Sequence, residues 1–147
     1  MEAKSGTFRY EVSGQDFDSA GDAAMQIKRK LAEMGVNPDV VRRVSVALYE
    51  GEINMVIHAG GGMVEMTVFP DEIVVMLMDH GDGIPDVELA MREGYSTATE
   101  SIRSLGFGAG MGLPNMKRFA DELSISSAVG VGTVVTMRFY VNRQPAP

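Results

Sequence analysis

Apolar residues recur along the chain with the two periods that distinguish strands from helices. Residues 7–12 alternate apolar and polar positions, which predicts a strand, whereas residues 16–34 place apolar side chains three and four residues apart, which predicts an amphipathic helix. Gly35 ends this helix. Asn, Pro and Asp at 37–39 supply an N-cap, a first-turn proline and an acid suited to the dipole of a second helix, which extends to about His58.

The second half of the chain contains two predicted hairpins with a glycine-rich stretch between them. Residues 63–69 and 73–78 flank a short turn, and the second arm, IVVMLM, is apolar on both faces, as expected for the middle strand of a covered sheet. The other predicted elements are short helices at 86–93 and 114–122, a last hairpin of 123–127 and 133–141, and a frayed tail at 142–147.

This order of elements predicts an α+β fold. Neighbouring strands joined by tight turns imply a mixed, mostly antiparallel sheet, and the helices are expected on one face of it, as a two-layer α/β sandwich. With 147 residues, 45% of them hydrophobic and 22% charged, residues 1–147 suit a single globular domain.

Composition excludes several classes of function. The net charge of −7 and the absence of a long basic cluster argue against nucleic-acid binding. With no cysteine, the chain has no disulfide, thiolate metal site or cysteine nucleophile, and its two histidines are too few for a His-rich zinc site. It also lacks a membrane-length apolar run and the apolar core of a signal peptide, so we expect a cytoplasmic protein.

Glu50 and Asn54 lie four residues apart in the second predicted helix, and therefore on one face of it. A carboxylate next to an amide oxygen can polarise a hydroxyl group and offer a hard oxygen ligand to Mg²⁺. The alternative, a solvated helix face, is the more common explanation of so short a pattern.

The sequence DHGDG follows the predicted central strand directly. Asp79 at the end of this strand can accept a hydrogen bond from an exocyclic amine, while Gly81 and Gly83 let the backbone approach a flat ring. A surface turn is the alternative. A calcium loop is excluded, because Gly81 takes the second ligand position and Ala90 the place of the bidentate Glu.

The stretch LGFGAGMGLP places a glycine at every second position immediately before a predicted helix. It is no P-loop, since no Gly-Lys-Ser/Thr ends it, and no dinucleotide fingerprint, since the third glycine would fall on Met111 or Leu113. Two explanations remain: a flexible linker, or a loop whose amides wrap a polyphosphate together with the helix N-terminus. In the last hairpin, the glycines before Thr133 suit a turn, and Thr133 can also reach a ligand.

Taken in chain order, these four motifs resemble the N, G1, G2 and G3 boxes of the GHKL ATP-binding superfamily. The resemblance covers roughly residues 39–139. Among the branches of the superfamily, a stand-alone domain of this size is most similar to the anti-sigma-factor serine/threonine kinases of bacterial sporulation and stress signalling. The resemblance implies the Bergerat ATP-binding fold, with ATP held between the helical layer and a lid.

The resemblance also implies a role for each motif residue. Asn54 would coordinate Mg²⁺, Glu50 would be the general base, and Asp79 would bind the adenine amine. Residues from about 94 to 106 would form the mobile part of the lid. The cofactor-binding residues would be Asn54, Asp79, Gly81, Gly83, Gly106, Gly108, Gly110, Met111, Gly112, Leu113 and Thr133.

The expected function is therefore that of an ATP- and Mg²⁺-dependent serine/threonine kinase that phosphorylates or binds a regulatory protein. The partner would be an anti-sigma-antagonist-like domain or a sigma factor, and the related kinases suggest a homodimer. The alternative is a nucleotide-gated binding switch without efficient phosphotransfer. One departure from the family pattern is Gly51-Glu52, where small apolar residues are expected; because Glu52 points roughly opposite to Glu50, we expect it to be solvated.

Overall fold

A computed structural model describes residues 6–14, 20–81 and 112–141. These residues form five strands and three helices, in the order β1 (Gly6–Ser13), α1 (Asp22–Glu33), α2 (Pro38–Ala59), β2 (Gly61–Val68), β3 (Glu72–Asp79), α3 (Gly112–Phe119), β4 (Glu122–Ala128) and β5 (Gly132–Tyr140).

The strands form one sheet in the order β1-β2-β3-β5-β4, with every pairing between them antiparallel. The strand with the sequence IVVMLM is β3, and it lies in the centre of the sheet as its two apolar faces predict. Val64, Leu77 and Val135 are cross-strand neighbours in the register, so they lie on the same face of the sheet.

The three described helices pack on that face and form the second layer of the sandwich. The core joins buried helix residues such as Leu31, Val44 and Leu48 to strand residues such as Met66 and Phe139. On the opposite face, Val74, Met76 and Met78 of β3 are half-buried, and none of the described helices covers them. The α+β sandwich with helices on one face is thus confirmed.

The long helix α2 starts and stops where its sequence predicts. The side chain of Asn37 accepts a hydrogen bond from the backbone N–H of Asp39 at 2.8 Å, and Pro38 occupies the first turn. Gly60 ends the helix in the left-handed conformation with φ of 71°. None of the described helices is long and apolar enough to cross a membrane.

Gly51 brings α2 close to both the sheet and α3. A Cβ atom at this position would lie 2.6 Å from Leu77 Cδ2 and 3.1 Å from Met116 Sδ, so these side chains would have to move to admit it. The departure at Gly51 therefore has a packing reason, because a side chain there would disturb the contact of α2 with the sheet and α3.

Two helix boundaries differ from the predicted ones. Helix α1 begins at Asp22, because Ala20 and Gly21 form a turn and Gly21 is left-handed with φ of 100°. Helix α3 ends at Phe119, before the predicted 122, because the backbone N–H of Asp121 donates to Arg138 O at 2.9 Å and directs the chain into β4. The predicted helix at 86–93 and the tail at 142–147 lie outside the described residues.

Candidate nucleotide site

Glu50 and Asn54 both lie on α2, one turn apart as predicted, and both side chains are half-buried. The Oε1 atom of Glu50 accepts a hydrogen bond from Asn115 Nδ2 of α3 at 3.2 Å. The Glu50 carboxylate is therefore held by a neighbouring helix and is not part of a fully solvated face.

Asp79 occupies the end of β3 and continues the alternation that points Val75 and Leu77 toward the helical layer. Its Oδ1 atom accepts two backbone hydrogen bonds, from Gly81 at 3.0 Å and from Thr133 at 3.1 Å. No donor among the described residues is bonded to Oδ2. The side chain is thus oriented by one oxygen, while the other can accept a hydrogen bond from a ligand amine.

Gly81 connects this carboxylate to the C-terminal end of α2. A Cβ atom on Gly81 would lie 2.8 Å from both Cα and Cβ of Ala59, so only glycine lets the turn after β3 lie against the helix. Asn54 precedes Ala59 by five residues, about 7.5 Å along the helix axis. The structure therefore places α2, which carries Glu50 and Asn54, beside the end of the sheet that carries Asp79.

Thr133 faces the same side of the sheet, directly opposite Asp79 in the β3–β5 register. It is buried, and its hydroxyl is 2.8 Å from Ser127 Oγ on β4. Ser127 Oγ also donates to the carbonyl of Gly132 at 3.3 Å. Asp79, Thr133 and Ser127 thus form one polar row across three strands, at the edge of an otherwise apolar layer.

The prediction that Glu52 is solvated is wrong. Its side chain is 2% exposed, and its carboxylate accepts backbone hydrogen bonds from Gly21 at 2.9 Å, Ala23 at 3.2 Å and Ala24 at 2.9 Å. These N–H groups belong to the start of α1, which has no side-chain cap of its own. Glu52 therefore caps the N-terminus of α1 by accepting its unpaired backbone N–H groups. The positive end of the helix dipole at this position explains why a carboxylate is buried there.

Most of the predicted glycine-rich site lies outside the described residues: Gly83, Gly106, Gly108, Gly110 and Met111. The backbone of Gly112 and Leu113 is described, and the two residues open helix α3. Pro114 stands in its first turn, as predicted. The glycine run therefore leads directly into a helix N-terminus.

Two polar residues of this site were missed by sequence reasoning. Asn115 reaches Glu50 across 65 residues of sequence, and Ser127 pairs with Thr133 across the last hairpin. No short spacing indicates the contact of Asn115. Ser127 was within reach of a pattern argument, since two residues that flank a tight hairpin turn are cross-strand neighbours.

The two-layer sandwich is the fold that the resemblance to the GHKL ATPases implies. The chain belongs to the histidine kinase-like ATPase domain family, which matches residues 15–139. The serine/threonine-protein kinase RsbT of Bacillus subtilis is 33% identical over 118 residues, which are 77% of this chain and 83% of RsbT.

Other relatives carry a different name. An anti-sigma F factor of Caldanaerobacter subterraneus is 32% identical over 117 residues, covering 76% of this chain and 78% of that protein. Among solved structures, the RsbU and RsbW domains of a Mycobacterium tuberculosis protein superpose with a TM-score of 0.64 at 16% identity. That match covers 95% of this chain and 33% of the other, and it supports the fold.

Proposed function

We propose that this protein is an ATP-dependent serine/threonine protein kinase that acts on a regulatory protein. The observation that carries the proposal is the Glu50 carboxylate, half-buried on α2 one turn from Asn54 and held by Asn115 at 3.2 Å. A general base must be held within reach of the proton it removes, and a carboxylate fixed at a helix interface meets that need. The name of the relative RsbT, a serine/threonine kinase, agrees with this activity.

ATP would bind between the end of the sheet and the helical layer. Asp79 Oδ2, to which no donor among the described residues is bonded, would accept a hydrogen bond from the adenine amine, with Thr133 beside it at the same sheet end. The glycine run and the N-terminus of α3 would contact the phosphates, because exposed backbone N–H groups and the helix dipole favour anions. The amide oxygen of Asn54 suits Mg²⁺, which would offset the phosphate charge and takes few protein ligands besides phosphate oxygens.

The proposed reaction moves one phosphoryl group to a protein hydroxyl. Glu50 would take the proton of a serine or threonine hydroxyl as that oxygen forms its bond to the γ-phosphorus. The bond between the γ-phosphorus and the bridging oxygen of ATP breaks, and ADP leaves. Positioning of the hydroxyl and stabilisation of phosphate charge supply most of the rate in such transfers.

The protein substrate would be an anti-sigma-antagonist-like domain or a sigma factor. Relatives named RsbT and anti-sigma F factor both support a regulatory protein as the partner. The homodimer suggested by related kinases stays a prediction. The anti-sigma F relatives also favour the second candidate function, a nucleotide-gated switch that binds its partner without efficient phosphotransfer.

The proposal is tested by transfer of labelled γ-phosphate from Mg-ATP to antagonist-like domains of the source organism, with Glu50→Gln as the key variant. Glutamine keeps the shape of Glu50 and can no longer take a proton. Because general bases contribute about 10²- to 10⁴-fold, we expect a loss of at least about 100-fold in rate, with Mg-ATP binding retained.

The matched control is Glu33→Gln, since the side chain of Glu33 is 69% exposed and lies on the distant end of α1. It should transfer phosphate at the wild-type rate. Equal rates in Glu50→Gln and the wild type would contradict the role of Glu50. ATP-dependent partner binding without any phosphorylated protein would favour the switch.

A further inference from the structure

Asn115 is a polar residue at the interface between α2 and α3. It is the fourth residue of α3, it is half-buried, and its neighbour Met116 is only 1% exposed in the core. Its amide nitrogen donates to Glu50 Oε1 at 3.2 Å. The contact therefore joins the proposed base to a second helix.

Helix formation does not explain an asparagine at this position. Asparagine is a poorer helix former than alanine or leucine, because its side chain competes for backbone hydrogen bonds. The geometry explains it better: a Cβ atom on Gly51 would lie 3.1 Å from Met116 Sδ, so α2 and α3 are close enough here for a short amide side chain to reach the carboxylate. An aliphatic residue in its place would give the carboxylate no donor.

We propose that Asn115 is a positioning residue that sets the orientation of the Glu50 carboxylate and couples it to α3. This inference rests on the proposed kinase function and adds to it a means of regulation. A glutamate side chain has three rotatable bonds, and a single donor on one oxygen restricts them while leaving the second oxygen for the proton of the substrate. In the sequence α3 directly follows the glycine run, so a shift of α3 against α2 would move the proposed base together with the helix N-terminus proposed to contact the phosphates.

The test is a kinetic comparison of Asn115→Leu with the wild type, using Mg-ATP and an antagonist-like domain as substrates. Leucine branches at the same carbon as asparagine and has no donor. Loss of one hydrogen bond to a charged group predicts a fall in kcat of about 10- to 100-fold. The KM for ATP should stay within about twofold, because only the base is misplaced. If Asn115→Leu fails to fold, Asn115→Asp replaces the donor with an acceptor at unchanged shape and should show the same loss.

Two controls separate a positioning role from a structural one. Lys117→Leu, an exposed position on the same helix, should keep the wild-type kcat. In a Glu50→Gln background, Asn115→Leu should cause no further loss, since the carboxylate it orients is gone.

The outcomes distinguish a failure of the Asn115 proposal alone from a failure of the proposed kinase mechanism. If Glu50→Gln is inactive and Asn115→Leu has the wild-type kcat, the role of Asn115 is overturned while the kinase function stands. A raised KM for ATP with unchanged kcat would also overturn it, by making Asn115 part of the nucleotide pocket. If Glu50→Gln is as active as the wild type, Glu50 is not the base and both proposals fall.

Discussion

Three polar residues at alternate positions of α2 have three different environments. Successive residues turn by about 100°, so Glu52 points about 200° away from Glu50, and Asn54 returns to within about 40° of it. Glu50 consequently faces α3, whereas Glu52 faces α1 and is buried under it. The same chemical group is thus held by α3 at one position, where we propose that it takes a proton, and caps a helix two residues later.

Replacing Glu52 with glutamine should lower the free energy of unfolding by about 2–4 kcal/mol. The carboxylate accepts three backbone N–H groups at the positive end of α1, and the amide has only one oxygen for them. Urea denaturation followed by circular dichroism measures the change. Glu33→Gln, at an exposed position, is the control, and a Glu52→Gln midpoint equal to that control would show that the capping contacts do not stabilise the fold.

At the scale of elements, Arg43 near the start of α2 joins the helical layer to the far end of the sheet. Its Nη1 atom is 3.1 Å from Asp121 Oδ2 and 3.4 Å from Phe119 O, and its Nη2 atom is 3.4 Å from Tyr140 O. The Nε atom is 3.4 Å from Asp39, close enough for attraction but without hydrogen-bond geometry. Asp121 also accepts from the backbone N–H of Tyr140 at 2.8 Å, so one buried ion pair connects α2, the end of α3 and β5.

Arg43→Ala should therefore cost about 3–5 kcal/mol of unfolding free energy, the range for leaving one partner of a buried ion pair alone. Arg42→Ala is the neighbouring control: its side chain is 61% exposed and its pair with Asp39 should contribute less than about 1 kcal/mol. A double variant with Asp121→Ala should lose less than the sum of the two single variants. Additive losses would mean that Arg43 stabilises the fold by packing alone.

Local patterns predicted the elements whose determinants lie within them. The continuous apolar run of β3 indicated a central strand, and the cap and proline at 37–39 marked the start of α2. The end of α3 was not predictable in this way, since a hydrogen bond from Asp121 to a strand residue 17 positions later ends it.

The same distinction separates the site residues that were predicted from those that were missed. Glu50, Asn54 and Asp79 belong to short motifs, and the structure places them on adjoining elements. Asn115 and the buried role of Glu52 depend on how helices pack against one another. Helix periodicity predicts that Glu52 points away from Glu50, but it does not reveal that α1 covers that side.

At the scale of the whole molecule, the proposed nucleotide site joins the two layers of the sandwich. Glu50 and Asn54 come from the helices, and Asp79 and Thr133 come from the sheet. A ligand that contacts both layers binds only the folded state, so it must stabilise the molecule as a unit. The net charge of −7 opposes the approach of further phosphate charge, so ATP should bind more weakly when Mg²⁺ is removed with a chelator.

Mg-ATP should raise the thermal unfolding temperature of the wild type, and the shift should disappear in Asp79→Asn and Asn54→Ala. At 100 times its dissociation constant, a ligand adds about 2.7 kcal/mol, which corresponds to about 5–10 °C for a domain near 150 residues. In Asp79→Asn, Oδ1 can still accept the backbone hydrogen bonds of Gly81 and Thr133. An NH₂ group replaces Oδ2, the oxygen proposed to accept a hydrogen bond from the adenine amine. The variant should therefore fold like the wild type without ATP and lose only the response to it.

Exposed Asp71→Asn serves as the control and should keep the full shift. A full shift in Asp79→Asn would show that the nucleotide binds elsewhere, whereas no shift in the wild type at millimolar Mg-ATP would remove the basis for a kinase.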